Sequence, residues 1–196
     1  GSCVHAIARD RRYFRLTRDS LEAANAITVV SGDTRSKLLK MFGSELSAKT
    51  RTIPGGVRLS LFPEERPVRE LRAKYHLGTQ KIALFTGRLI TEKGVEYLVK
   101  AAKKIHGEVV IAGDGPQRQH LEELIAKMEI KNVLILPFVR SYTDFLDLYY
   151  LADVFVSPAV WDEPLGLTII EAMAARKPVI VTRKGGVTMA VKDGVN

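Results

Sequence analysis

From Lys81 onward the chain alternates short β-branched runs with amphipathic helical stretches, and few folds accept that rhythm. Residues 82–86, 109–112, 133–137, 154–157 and 179–182 read as strands. Residues 95–105, 117–128, 143–151 and 167–175 carry helical spacing between them. Strands alternating with helices of this length imply an α/β, Rossmann-like parallel sheet with helices on both faces. In such a sheet a ligand sits beyond the carboxyl ends of the strands. The residues that follow those ends are Gly87-Arg88, Gly113-Asp114-Gly115, Phe138-Val139-Arg140, Pro158 to Glu163 and Arg183 to Gly186. Glycines let a ligand approach the backbone. Arginines neutralise phosphate.

Upstream the pattern is less regular. A helix is expected over 13–24, and a buried strand over 26–31. A second helix follows, with Asp33 as a reasonable N-cap, and ends near Phe42. Residues 49–53 offer another strand, broken by Pro54-Gly55-Gly56. Residues 57–80 read as a connector with one short helix over 68–75.

Composition narrows the chemistry. Thirty Lys and Arg against 22 Asp and Glu give a net charge of +8, which favours anionic partners. The basic residues are scattered, without the stripe interleaved with aromatics that nucleic acid would call for. Nucleotide or an anionic membrane surface remains, the latter as a peripheral contact. No apolar run approaches the ~20 residues needed to span a bilayer. The single cysteine, Cys3, excludes an internal disulfide and fits a reducing, cytoplasmic setting. Gly113-x-Gly115 lacks the third glycine of a dinucleotide fingerprint, and no Gly-Lys-Ser/Thr motif is present. His5, His76, His106 and His120 are far apart and read as surface residues, with no metal spacing among them.

The stretch 160–175, VWDEPLGLTIIEAMAA, passes from loop to helix. Pro164 suits the first turn of a helix, and Leu167, Ile170, Met173 and Ala174 line one apolar face. Two acids lie within it: Glu163 just before the helix and Glu171 inside it. Glu163, seven residues, then Glu171 resembles the Glu-x7-Glu signature of the retaining GT-B glycosyltransferases of the glycogen synthase, sucrose-phosphate synthase and phosphatidylinositol mannosyltransferase type. Two acids at that spacing also arise by chance, as a capping group and a helix-face charge. The segment Gly87-Arg-Leu-Ile-Thr-Glu-Lys-Gly94 is more specific, and resembles the same family's Gly-Arg-Leu-x-x-x-Lys-Gly.

The resemblance implies roles. Arg88 and Lys93 would contact the donor's pyrophosphate, where negative charge builds as the glycosidic bond breaks. Gly87 precedes them in the same motif. Gly166, Leu167 and Thr168 would bring N–H groups to the phosphates. Glu171 would bind the ribose hydroxyls and Glu163 would lie near the donor sugar. The segment at Val139 and Arg140 would meet the base through backbone groups. Trp161 could wall the sugar site or serve as a core or lid residue, and Gly113-x-Gly115 is as readily a tight turn. Family members commonly carry an acid where this chain has Met189. With no Asp-x-Asp, the cations of Arg88 and Lys93 would replace a metal, and no cofactor is expected.

By the same resemblance, residues 1–56 are the tail end of an acceptor domain and 81–196 the nucleotide-sugar domain, its C-terminal end missing. The chain would supply the donor-binding part of a hexosyltransferase, inactive alone, with the acceptor a sugar, a polysaccharide or a lipid-linked group. Retention of configuration comes from the resemblance only. Strands within 20–56 lack a visible sheet, so self-association is expected there. Two rivals stay open: a nucleotide-binding module without transfer activity, and an epimerase or phosphorylase of the same architecture.

Overall fold

The computed structural model describes residue 7, residues 10–137, residue 139 and residues 141–195. Two compact units emerge. One comprises residues 56–161 and 167–182; the other comprises the residues before Gly56 together with 162–166 and 183–195.

The larger unit is built on five strands: β3 (Ile82–Thr86), β4 (Glu108–Ala112), β5 (Val133–Leu136), β6 (Val154–Ser157) and β7 (Val179–Val181). They pair in the order β5-β4-β3-β6-β7, and every pairing is parallel. The α/β expectation therefore holds, with each expected strand in place. The helices are α3 (Val68–Lys74), α4 (Val95–Ala101), α5 (Arg118–Lys127), α6 (Tyr142–Leu151) and α7 (Leu167–Ala174).

Alternation along the strands sorts the two faces. Ala83, Phe85, Val109 and Ile111 pack with Val95, Leu98 and Val99 of α4 and Leu121 of α5. On the opposite face, α6 contacts β3, and α7 contacts β6 and β7. The Tyr149 ring lies 5.7 Å from that of Phe155. Phe155 is fully buried, a burial that contributes about 1.5–3 kcal/mol.

Three helical expectations need correction. The helix over 95–105 stops at Ala101 and tightens into a 3-10 turn at Ala102–Lys104. Pro164 is not in a first turn, because α7 starts three residues later at Leu167. Asp33 is not the N-cap of its helix, as the smaller unit makes clear.

That unit holds α1 (Arg11–Ala23), β1 (Ile27–Val29), α2 (Gly32–Phe42) and β2 (Thr50–Thr52). Ser31 caps α2: its Oγ accepts from Thr34 N at 3.1 Å. Ser31 has the extended backbone of an N-cap. Asp33 is the second residue of the helix, where Lys37 Nζ donates to it at 2.7 Å. β1 and β2, expected to lack a sheet, pair with each other in parallel, Ile27 opposite Thr50. Their core is Ile27, Phe42 and Leu46, with Phe14 stacked on Phe42 at 4.8 Å.

Candidate functional site

In the larger unit the chain runs outward from β3 to β5, then returns to lay β6 on the other side of β3. The carboxyl ends of β3 and β6 therefore flank the switch in strand order, the position where doubly wound sheets leave a crevice for ligands. Two loops meet there. One is Gly87-Arg88 and the segment up to Gly94; the other is Pro158 to Trp161.

The loops are tied by contacts that explain the local sequence. Val160 N donates to Glu92 O at 3.0 Å. Gly94 has φ +63°, and a Cβ there would strike the Pro158 carbonyl oxygen, so only glycine fits. Lys93, half-buried, places Nζ 5.8 Å from the Trp161 ring centroid, a cation–π distance. Arg88, five residues earlier in the same loop, is exposed. The two glycines after β4 have a packing reason: Gly113 faces the Gly87 carbonyl and Gly115 the Leu89 backbone, with no room for a Cβ at either.

Glu171 is the unusual group. It lies in the second turn of α7, only 7% exposed. A buried carboxylate needs hydrogen-bond donors. Tyr149 Oη donates to Oε2 at 2.6 Å, and Tyr142 Oη donates to Oε1 at 3.0 Å. Thr86, the last residue of β3, places Oγ1 2.8 Å from Tyr149 Oη. Since the tyrosine proton goes to Glu171, the threonine hydroxyl donates to the tyrosine oxygen. Burial, followed by the charge of Glu171, pushes the Tyr149 phenol far up, so it stays a donor. The Tyr142 phenol is raised too, first by burial and then by its bond to Glu171.

The other predicted residues fall as follows. Gly87, Arg88 and Lys93 follow β3, while Leu167, Thr168 and Glu171 belong to α7, all within the larger unit. Val139 follows the edge strand β5. Arg140 lies outside the described residues, as do Phe138, Cys3 and His5. Glu163 and Gly166 belong to the smaller unit. There Glu163 is buried, and its carbonyl accepts from Gly186 N at 2.7 Å. Asp162 accepts from Lys37 at 2.6 Å. Met189 Sδ accepts from Gly32 N at 3.3 Å, which gives this departure from the family pattern a place at the start of α2. His76, His106 and His120 are exposed, as expected. Among the described residues no three His, Cys, Asp or Glu side chains gather as a metal site would require. No helix among them is long and apolar enough to cross a membrane.

Sequence reasoning missed Thr86, Tyr142 and Tyr149. A signal existed, since two tyrosines seven apart on one helix share a face.

An all-parallel, doubly wound sheet with basic loops and a hydrogen-bonded carboxylate at its switch point is a nucleotide-binding class of domain. The chain belongs to the family described as glycosyl transferases group 1, which it matches over residues 67–196. It is 43% identical over 122 residues to the uncharacterized glycosyltransferase MJ1607 of Methanocaldococcus jannaschii, covering 60% of this chain and 31% of that protein. It is 35% identical over 130 residues to the alpha-D-kanosaminyltransferase of Streptomyces kanamyceticus, covering 64% and 33%. The chain thus spans about a third of those relatives' length. The crystal structure of Anabaena HepE with UDP-glucose shares the fold, a GT-B glycosyltransferase architecture. Its TM-score is 0.86 at 23% identity, over 95% of this chain and 53% of that one.

Proposed function

We propose that this chain supplies the donor-binding part of a glycosyltransferase that takes its sugar from a nucleoside diphosphate. Family membership supports the class, and the UDP-glucose held by HepE supports a nucleotide sugar as donor. The observation that carries the reading is the buried Glu171 carboxylate at the switch point, held by two phenols. A carboxylate has about four acceptor sites, so Glu171 can keep its bond from Tyr149 and still accept from ribose hydroxyls.

In this reading Glu171 binds the ribose hydroxyls. Leu167 and Thr168, opening α7, bring backbone N–H groups toward phosphate, with Gly166 before them. Arg88 and Lys93 neutralise the diphosphate as it leaves. That charge grows toward the transition state, so fixed cations there lower the barrier rather than merely tightening binding. The base meets backbone groups near Val139 and Arg140. Glu163 takes the role near the donor sugar that its sequence motif gives it. Transfer proceeds with retention by front-face displacement, the leaving phosphate helping to deprotonate the acceptor. No metal is needed.

Self-association through residues 20–56 belongs to the same proposal, supported by the open edges of the β1–β2 pair. The test of function is a titration of chelator-treated chain with UDP, GDP, UDP-glucose, GDP-mannose, inorganic phosphate and a DNA duplex. Preference for a nucleoside diphosphate over phosphate and DNA is expected. Equal affinities, or binding that requires a divalent ion, would overturn the reading.

A further inference from the structure

Glu171 meets its two phenols on unequal terms. Tyr149 is fully buried within α6 and donates at 2.6 Å to Oε2. Its ring is fixed by Phe155 at 5.7 Å and by Phe145, edge-on, at 6.0 Å. Its oxygen is held in turn by Thr86 at 2.8 Å. Tyr142, at the start of the same helix, is 53% exposed and donates at 3.0 Å to Oε1. One oxygen of the carboxylate is therefore anchored from inside the unit. The other is met, through a longer bond, by a residue that is about half exposed.

We propose that Tyr149 is a positioning residue that sets the Glu171 carboxylate for a ribose diol, and that the Tyr142 hydroxyl stands in for a ribose hydroxyl until nucleotide arrives. The inference rests on the reading of Glu171 as the ribose ligand and adds how that ligand is aimed.

The physical case has three parts. A carboxylate on a helix can turn about its last torsion, and a diol needs both oxygens in one plane. A short bond from a buried, uncharged donor fixes that plane, and the chain Thr86 to Tyr149 to Glu171 polarises each bond by the next. A buried carboxylate also cannot be left with an empty side, so a mobile hydroxyl that yields to the ligand avoids an unsatisfied oxygen in the free protein. A phenol O–H and a ribose O–H offer the carboxylate the same donor.

The roles predict opposite effects that a purely structural network would not produce. The readout is the ratio of affinities for UDP and for 2′,3′-dideoxy-UDP, with GDP and its dideoxy form measured alongside. The wild-type chain should prefer the ribonucleotide of whichever base binds more tightly. Tyr149→Phe keeps the ring and loses the hydroxyl. It should weaken the ribonucleotide about tenfold, leave the dideoxy form unchanged and so collapse the ratio toward one. Thr86→Val should lower the ratio in the same direction by a smaller factor, and serves as the test if Tyr149→Phe does not fold. Tyr142→Phe should keep the ratio at or above the wild-type value, because it removes a competitor. A wild-type chain that does not distinguish ribose from dideoxyribose overturns the reading of Glu171 and the inference with it. A wild type that does distinguish them, with Tyr149→Phe and Thr86→Val keeping the full ratio, overturns the inference alone. A fall in ratio in Tyr142→Phe equal to that in Tyr149→Phe contradicts the division of roles.

Discussion

The larger unit holds its strands by layers of apolar side chains, and the smaller unit holds its strands by polar ties. In the first, β4, β3 and β6 are each paired on both edges, and helices cover both faces. In the second, among the described residues both strands are edges, a pairing that is marginal without help. The help is specific. Lys49 Nζ donates to the Glu22 and Ala24 carbonyls at 2.7 and 2.9 Å. Thr50 Oγ1 donates to Leu46 O at 2.8 Å inside the unit. Lys37 bridges Asp33 and Asp162. Apolar layers tolerate loop variation and make a rigid platform for a site. Polar ties depend on individual side chains and on pH.

The largest effect expected from this contrast is at the aromatic cores. Phe155→Ala should cost about 3–5 kcal/mol in denaturant unfolding. Phe42→Ala should cost less, since among the described residues its cluster joins Ile27 and Leu46 to partly buried neighbours able to collapse. Equal losses, with amide exchange raised equally in both units, would remove the distinction.

A middle-sized effect tests the ties. Ser31→Ala removes the cap of α2 and should cost about 1 kcal/mol, with faster exchange at Thr34 and Arg35. Protection unchanged at those amides would show that the cap is idle.

The smallest effects separate the units by pH. Burial opposes the charge on Lys37, but its hydrogen bonds to Asp162 and Asp33 outweigh that and raise its pKa. Its stabilisation is complete below the ordinary lysine value and is lost as pH rises through the raised one. Asp153 is the reverse case. Burial raises it, but the bonds from Lys81 and Ile82 N hold it below the usual carboxylate range. Its stabilisation is complete above the ordinary aspartate value and fades as pH falls through the lowered one. Lys37→Met should flatten the alkaline limb of stability, and Asp153→Asn the acid limb. Swapped limbs would contradict the assignment.

The five strands of the large sheet were legible because short apolar, β-branched runs recur between helical stretches. Helix starts were less so. Ser31 and Asp33 both suit an N-cap by residue type, and the backbone angles of Ser31 with its bond from Thr34 N distinguish them. Pro164 fits a first turn by type, yet the loop carries two more residues, Leu165 and Gly166, before α7. The Arg88 and Lys93 loop could be placed from its motif and strand end. The spacing of Tyr142 and Tyr149 puts them on one helix face, but their meeting with Glu171, 29 and 22 residues away, depends on the packing of α6 against α7.

The account's central claim is that Glu171 holds the part of the donor common to every nucleotide. Hydrogen bonds to a charged carboxylate contribute about 1.5–3 kcal/mol each. The direct measurement is calorimetric titration of nucleoside diphosphate into the wild-type chain, Glu171→Ala and Glu163→Ala. Glu171→Ala should weaken binding by about one to two orders of magnitude, while Glu163→Ala should leave it nearly untouched. Equal affinities for the two variants would contradict the claim.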